Sequence, residues 1–374
     1  MSIMVESIPK ELYMAISKEK RNLAIAGALI GVIAVVLVLL GNPKNMGFCI
    51  ACFIRDIAGG LKLHSAAPVK YIRPEIIGLI LGSFLISVVT KEFNARGGSS
   101  PMLRFCIGAM VMIGCLAFLG CPFRMVLRLS AGDLNALIAL FGFAAGIGLG
   151  AFFLSKGFSL GRAQKQAPLE GCAISVVNII LLVLAVAAPT LFAVSESGPG
   201  SMHAAIGFSL LAGLIVGVLA QRTRMCMAGG FRDLYLLKDG TLICGFAALF
   251  VFALIMNLIT GNFKLGFTGQ PVAHNAHVWN FLGMFVCGFG CCLLGGCPLR
   301  QLILAGEGNS DSAITVLGLL TGAAISHNFG LAGAAGAVAD GGGVKTAGKI
   351  AVVACIVLLL CIACIKTFVK KKED

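Results

Sequence analysis

Long apolar runs recur along the chain, and the first, residues 22–40 (NLAIAGALIGVIAVVLVLL), has no charged side chain. A helix needs about 18 or more such residues to cross the hydrocarbon core of a bilayer. Ten spans can be drawn, at roughly 22–40, 75–91, 102–119, 133–154, 172–194, 204–220, 241–261, 277–294, 312–331 and 347–369. The sequence therefore predicts an all-α polytopic membrane protein with about ten transmembrane helices.

The composition fits a membrane protein, because 58% of the residues are hydrophobic and only 12% are charged. A soluble domain carries about a quarter charged residues. The net charge of +13 is scattered through the loops without a dense basic and aromatic stripe, so no nucleic-acid partner is expected. Most of the 15 cysteines lie inside the spans and show no zinc-type spacing with partnering histidines, so we predict no metal and no cofactor.

The charges that flank the spans predict the orientation of the chain. Residues 1–21 are too polar for a cleaved signal peptide, and both they and the basic C-terminus are assigned to the cytoplasm. The loop 155–170 holds three basic residues and falls inside, whereas the loop 195–203 holds none and falls outside. The segment 41–74 disagrees with this charge rule, because it holds five basic residues, yet the span count places it outside. Either the span count is wrong or this segment folds back into the membrane.

Two blocks of sequence occur twice at nearly one spacing. CIACFIRD (49–56) matches CMAGGFRD (226–233) at a shift of 177, and GCLAFLGCPFR (114–124) matches GCCLLGGCPLR (290–300) at a shift of 176. The first four spans map onto spans six to nine, so the second copy enters the membrane from the opposite side. Inverted repeats of this kind are common in transporters, which bind substrate near the midplane at the repeat interface.

The repeat predicts a division of the chain and the side from which each motif is reached. The parts are a cytoplasmic tail (1–21), a first transmembrane repeat (22–154), a linker with one helix (155–198), a second, inverted repeat (199–331), and a final helix with a basic tail (332–374). The motifs around Cys49 and Cys121 are expected to be reached from outside, and those around Cys226 and Cys297 from inside.

The four repeated segments are short, glycine-bearing and charged, which suits re-entrant half-helices better than full crossings. Pro122 and Pro298 fit the first position of a helix, where a missing N–H costs nothing, and this places Cys121 and Cys297 at the caps. A helix start favours an anion and makes a thiolate more available. The alternative is that Gly-Cys-Pro forms only a tight packing turn. We call residues 120–124 the first GCP motif and residues 296–300 the second.

Each GCP motif ends in an arginine, Arg124 in the first and Arg300 in the second. Both lie about one turn into the predicted short helix. They could add positive charge to an anion site, or they could anchor the helix to a neighbouring carbonyl. The sequence leaves both roles open.

The other paired motifs carry charges of their own. Arg55-Asp56 and Arg232-Asp233 could be structural clamps or charges along a substrate pathway, because intramembrane charges are usually paired or functional. Cys52 completes a Cys-x-x-Cys with the preceding motif cysteine, and a redox pair there is one possibility.

Four further residues are interpreted mainly as packing residues. They are Cys115, Cys291 and Cys292, next to the GCP motifs, and His327, inside the ninth span. For His327 a role in a proton relay stays open.

The duplicated cysteine segments, the paired GCPFR and GCPLR, and the GFRDL block (230–234) resemble the YeeE/YedE sulfur-transport family over about residues 22–331. The resemblance implies an inner-membrane protein with pseudo-two-fold halves and an hourglass shape. It also implies uptake of thiosulfate, with central cysteines that pass the ion along by transient S–H···S contacts. The matching cysteines are Cys49, Cys121, Cys226 and Cys297.

Within that family the chain resembles the YedE branch linked to selenium metabolism, which implies a selenium compound as an alternative substrate. The leading hypothesis is a transporter, not an enzyme, that carries a small sulfur- or selenium-containing anion across the bacterial inner membrane. One alternative is a membrane sulfur or selenium transferase with cysteine persulfide or selenosulfide intermediates. Another is a membrane scaffold for cytoplasmic sulfur- or selenium-handling proteins.

Overall fold

The computed structural model describes residues 10–369, so the tail prediction for residues 1–9 and 370–374 lies outside the described residues. The helices are α1 (Lys10–Leu39), α2 (Ile50–Gly60), α3 (Pro74–Val89), α4 (Pro101–Phe118), α5 (Pro122–Ser130), α6 (Asn135–Ser155), α7 (Pro168–Ala187), α8 (Ile206–Thr223), α9 (Met227–Leu237), α10 (Thr241–Ile259), α11 (His277–Leu294), α12 (Pro298–Gly306), α13 (Ser310–Asn328) and α14 (Thr346–Cys364). Two-residue strands β1 (Arg96–Gly97) and β2 (Gln164–Lys165) pair antiparallel.

Eight stretches of helix are long and apolar enough to cross a membrane. They are Lys18–Leu39, Pro101–Ser130, Asn135–Ser155, Pro168–Ala187, Ile206–Leu237, Thr241–Ile259, His277–Gly306 and Thr346–Phe368. Helix α3 covers the second predicted span but has only 16 residues, and α13 covers the ninth without being among the eight. The prediction of an all-α, multi-pass membrane protein is therefore confirmed. Helix α1 begins at Lys10, so much of the predicted tail continues the first span as helix.

The longer helices pack in four close pairs: α1 with α10, α3 with α8, α4 with α13, and α6 with α11. Glycines spaced four residues apart allow this approach. In the last pair, a Cβ at Gly142 would clash with the Phe281 carbonyl, and one at Gly146 with the Phe285 carbonyl. Successive contacts advance in the same direction along both helices, so the pair is parallel. Small residues at such crossings let backbones meet closely where lipid supplies no hydrophobic driving force.

Helices α4 and α11, which correspond at the shift of 176, run antiparallel to each other. Gly114 lies against Gly283, whereas Gly290 lies against Val111. These helices occupy the centre of the molecule: 83% of the most apolar window in His277–Gly306 is buried, compared with 17% of that in α7.

The loops form two faces at opposite ends of the helices. Face A contains the segments 90–100, 156–167, 238–240 and 307–309, and face B contains 40–49, 61–73, 131–134, 188–205, 260–276 and 329–345. On face A, the Asn94 amide donates to the Glu307 carbonyl over 2.9 Å. On face B, the Ser195 amide donates to the Lys70 carbonyl over 2.9 Å. Each face thus joins loops from both halves of the sequence.

All four predicted short helices are present, as α2, α5, α9 and α12. Helices α2 and α5 end at face B, and α9 and α12 end at face A. The segment 41–74, whose charges disagreed with its predicted side, contains α2, every residue of which is buried. The fold-back explanation for that segment agrees with this burial.

Candidate functional site: four cysteine-capped short helices

The four motif cysteines occupy one structural position, the N-cap of a short helix. Cys49 caps α2, Cys121 caps α5, Cys226 caps α9 and Cys297 caps α12. Pro122 and Pro298 stand at the first helical position, as the sequence predicts. All four cysteines are at most 4% exposed, so the open helix ends lie inside the protein. Each end presents backbone N–H groups and the positive end of a helix dipole.

In the second half, two of these cysteines form one cluster. The sulfur atoms of Cys226 and Cys297 lie 3.9 Å apart. The Cys226 sulfur also accepts a hydrogen bond from the Gly229 amide over 3.2 Å, which satisfies one open donor of α9. Two helix starts therefore converge on one pair of thiols.

The first half has a matching cluster with one additional thiol. The Cys49 sulfur accepts from the Cys52 amide over 3.3 Å, and its side chain lies near that of Cys121. Cys52 lies where the second half has Gly229, and its sulfur is 3.5 Å from a guanidinium nitrogen of Arg124. The sequence-predicted cysteines are thus brought together within each half.

The two GCP arginines differ in their partners. Arg124 is fully buried and donates to the carbonyls of Leu119, Asn45 (2.8 Å) and Val272 (3.1 Å). Arg300 is 14% exposed and donates to the Glu307 carboxylate over 3.1 Å. The anchoring role left open by the sequence therefore fits Arg124, and the charge role fits Arg300.

The Arg300 side chain lines a polar cavity of about 340 Å³ on face A. The cavity is lined by Glu92, Asn94, Arg96, Gln221, Arg224, Arg300 and Glu307. Three arginines and two glutamates give this lining a surplus of positive charge. Hydrogen bonds from Gln221 and Arg222 hold the pKa of Glu92 below its ordinary value, so its carboxylate is charged at neutral pH. The cavity can attract an anion towards the start of α12.

The Arg-Asp pairs also differ between the halves. Asp56 accepts from Arg55 over 2.7 Å and from Arg73 over 2.8 Å, and all three side chains are at most 2% exposed. Arg232 and Asp233 pair over 2.8 Å but are 32% and 19% exposed. The first pair is a buried clamp, while the second lies at a partly open surface.

Arg73 and Arg128 are among the buried charged groups that sequence reasoning missed. Arg73 ties α2 to the loop 188–205 by donating to the carbonyls of Pro199 and Met202. Arg128 pairs with Asp133 over 2.6 Å, with both side chains fully buried. Each residue lies in a segment predicted to fall between spans. A charged residue next to a repeated motif in such a segment was the sequence signal that could have identified it.

His327 lies against a second imidazole rather than alone. Its ring centroid is 4.7 Å from that of His64, whose Nε2 lies 3.1 Å from the Arg55 carbonyl. Within residues 10–369 no group of three or more metal-ligating side chains is close enough to hold a metal ion.

The fold and the site define a multi-pass membrane protein whose buried thiols cap converging short helices. The family model described as sulphur transport matches residues 6–119 and 222–374, more than half of the chain, and the chain belongs to this family.

Two curated relatives carry the same name in different bacteria. Over 99 residues the chain is 36% identical to the thiosulfate transporter TsuA of Spirochaeta thermophila, covering 26% of this chain and 29% of that protein. Over 131 residues it is 30% identical to the thiosulfate transporter TsuA of Escherichia coli, covering 34% of this chain and 36% of that protein. The chain thus spans about a third of the length of each relative.

Proposed function

We propose that the protein carries a small sulfur- or selenium-containing anion across the bacterial inner membrane. The observation that supports this most directly is the burial of four cysteines at converging helix starts. Backbone N–H groups and helix dipoles favour the negative charge of the ion. Thiols favour its polarizable sulfur or selenium atom. Cys49, Cys121, Cys226 and Cys297 are the proposed pathway residues.

The proposal includes an inverted repeat with an hourglass-like constriction between its halves. It is supported by the antiparallel α4 and α11, and by the ends of the short helices. Helices α2 and α5 end at face B, whereas their counterparts α9 and α12 end at face A. In the membrane α2 and α9 would be re-entrant, one from each side, while α5 and α12 would complete the crossings that α4 and α11 begin.

Face A is proposed to face the cytoplasm, together with both termini. It contains the loop 156–167 with Lys156, Arg162 and Lys165, and cytoplasmic loops carry an excess of basic residues. The cavity beside Arg300 would then be the cytoplasmic mouth of the pathway. An anion there would meet Arg96, Arg224 and Arg300.

Thiosulfate is the first substrate to test, because both named relatives are thiosulfate transporters. A selenium compound is the alternative, on the resemblance to the selenium-linked branch. Thiols suit a reduced sulfur or selenium atom better than fully oxidised sulfate, so sulfate should compete poorly for uptake.

A sulfur or selenium transferase is the second candidate, and the spacing of the thiols favours it. A separation of 3.9 Å between Cys226 and Cys297 is van der Waals contact between two sulfur atoms. One cysteine could pass a bound sulfur atom to the other with little movement.

Uptake measurements test the proposed function. Cells without their own carriers would receive the intact chain, the double variant Cys121→Ala/Cys297→Ala, or the control Cys361→Ala, which changes an exposed thiol of α14. We expect thiosulfate or selenite to enter with the intact chain and the control, and to fail with the double variant. Uptake of either ion that is equal in all three would contradict the proposal.

A further inference from the structure

Two equivalent short helices, α2 and α9, differ by one thiol at their starts. Helix α2 is capped by Cys49 and has Cys52 at its third position, whereas α9 is capped by Cys226 and has Gly229 there. Both cap residues have extended backbone, and each cap sulfur accepts a hydrogen bond from the amide three residues on, over 3.3 Å in α2 and 3.2 Å in α9. The two helix starts therefore share one capping geometry.

The glycine in α9 shows that this helix start does not need a second thiol. The capping hydrogen bond comes from a backbone amide, which glycine supplies as well as cysteine. Cys52 is nevertheless fully buried, and its sulfur lies 3.7 Å from the Leu119 carbonyl. The additional thiol of the first half thus lies beside polar backbone as well as beside a second cysteine.

The cap residue and the third residue of such a helix lie at the distance of a disulfide. A Cβ at Gly229 would lie 3.3 Å from the Cβ of Cys226 and 3.5 Å from its sulfur. The two Cβ atoms of a disulfide are about 3.5–4.5 Å apart. Cys49 and Cys52 occupy the same two positions of α2, so a bond between their sulfur atoms requires little movement of the backbone.

The surroundings of this pair stabilise a negative charge on sulfur. Oxidation of a cysteine begins at its thiolate. The Arg124 guanidinium donates to the Cys52 sulfur over 3.5 Å, and the positive end of the α2 dipole lies at Cys49. The equivalent arginine of the second half, Arg300, donates to Glu307 instead. A thiol pair with a cation beside it is therefore a feature of the first half.

We propose that Cys49 and Cys52 form a redox switch whose disulfide closes the transport pathway. The switch rests on the proposed function, because Cys49 is one of the four pathway residues and loses its thiol when the bond forms. Helix α2 ends at face B, which lies opposite the proposed cytoplasmic face. Disulfides form and persist on the outer side of the bacterial inner membrane.

Hydrogen peroxide is a suitable oxidant, because it is smaller than thiosulfate and can follow the same route to the buried pair. One thiolate attacks a peroxide oxygen: an S–O bond forms, the O–O bond breaks, and hydroxide leaves, which gives a sulfenic acid. The second thiol attacks this sulfur: an S–S bond forms, the S–O bond breaks, and the departing hydroxide takes up the proton of that thiol. The pair loses two electrons, and the peroxide is reduced to two molecules of water.

Peptide mapping of the oxidised protein tests whether the bond forms. Purified full-length chain in proteoliposomes would be treated with hydrogen peroxide, its remaining thiols alkylated, and its peptides identified by mass spectrometry. We expect the peptide with Cys49 and Cys52 to lose two hydrogen atoms and to escape alkylation, and dithiothreitol to restore both alkylation sites by thiol–disulfide exchange. Free thiols at both positions after peroxide, or a bond from Cys49 to Cys121, would overturn the switch.

Thiosulfate uptake by the same proteoliposomes tests what the bond does. For each variant, uptake after peroxide is compared with its own uptake before peroxide. Peroxide should lower uptake about tenfold or more in the unaltered chain, and dithiothreitol should restore it by exchange. Uptake should be insensitive to peroxide in Cys52→Gly, which installs the residue of the second half. Cys115→Ala is the control, because it removes a different buried thiol, 3.4 Å from the Cys287 sulfur, and should keep the full sensitivity.

The outcomes separate the switch from the transport on which it rests. Full sensitivity to peroxide in Cys52→Gly would overturn the switch and leave the proposed transport intact, because that variant cannot form the bond. If Cys52→Gly fails to fold, Cys52→Ala takes its place, since alanine also lacks the thiol and favours a helix. If the untreated chain takes up no thiosulfate, the proposed function fails for this ion, and the switch fails with it.

Discussion

The first and second GCP motifs share four of their five residues, yet their arginines lie in different surroundings. Arg124 is enclosed and its guanidinium is bound by backbone carbonyls, including those of Asn45 and Val272. Arg300 has one carboxylate partner and lines an open polar cavity. Both copies of the motif therefore keep the helix start. The arginine stabilises the fold in the first copy and provides electrostatic attraction in the second.

The largest expected difference between the motifs is in stability. Arg124→Met leaves buried carbonyls without donors, each at a cost of about 1–3 kcal/mol, so the free energy of unfolding should fall by about 3 kcal/mol or more. Arg300→Met, the matched change in the second motif, should lower it by less than about 1 kcal/mol. Thermal unfolding of both purified variants measures this. Equal losses of stability would show that the two arginines share one role.

The second difference is in anion binding. Arg300→Met removes one of three cations from the face A cavity and should raise the Kd for thiosulfate about tenfold, equivalent to about 1.4 kcal/mol. Lys264→Met is a suitable control, because this lysine lies on face B and its ammonium donates to the Gly269 carbonyl. Titration of purified protein with thiosulfate gives both constants. A Kd unchanged by Arg300→Met, or raised equally by the control, would exclude the cavity as the binding region.

Glu307 provides a further test of the difference between the two arginines, because its counterpart in the first half is Ala131. Its carboxylate accepts a hydrogen bond from Arg300 over 3.1 Å, so an incoming anion must compete with this carboxylate for the guanidinium. Glu307→Gln should free the guanidinium and lower the Kd for thiosulfate about threefold, about 0.7 kcal/mol. The same titration checks this. Weaker binding in Glu307→Gln would mean that the pair positions Arg300 for the ion instead of competing with it.

The smallest effect is expected at the rim of the cavity. Glu92 and Arg222 pair over 2.8 Å but are 44% and 46% exposed, so Glu92→Gln should change stability by less than about 0.5 kcal/mol. Because the pKa of Glu92 is lowered in the fold, its contribution is present at neutral pH and is lost as the pH falls through that lowered value. Unfolding temperatures of wild type and variant should therefore converge in acid. A difference that grows in acid would contradict this assignment.

The short helices could be predicted from sequence because their signals are local. A cysteine, a proline and an apolar run are enough to predict a helix start, and both GCP motifs follow this rule. The fold-back of residues 41–74 could also be anticipated, since five basic residues on the wrong side needed another explanation. Two of those residues, Arg55 and Arg73, are buried around Asp56.

The division of roles between the arginines could not be predicted, because it depends on distant backbone. Two of the carbonyls that bind Arg124, those of Asn45 and Val272, come from face B loops far from it in sequence. Cys115 and Cys291 were interpreted as packing residues for a similar reason. Cys115 and Cys287 are 172 positions apart, and only the antiparallel contact of α4 with α11 brings them together.

The four close helix pairs carry a consequence for biosynthesis. Each pair joins one helix from the first half with one from the second. The partners of α1, α3, α4 and α6 are therefore synthesised later than these helices. Their glycine-lined surfaces must face lipid or the insertion machinery until α8, α10, α11 and α13 arrive. The first half is therefore not a folding unit by itself, and the native structure is reached only after most of the chain has been translated.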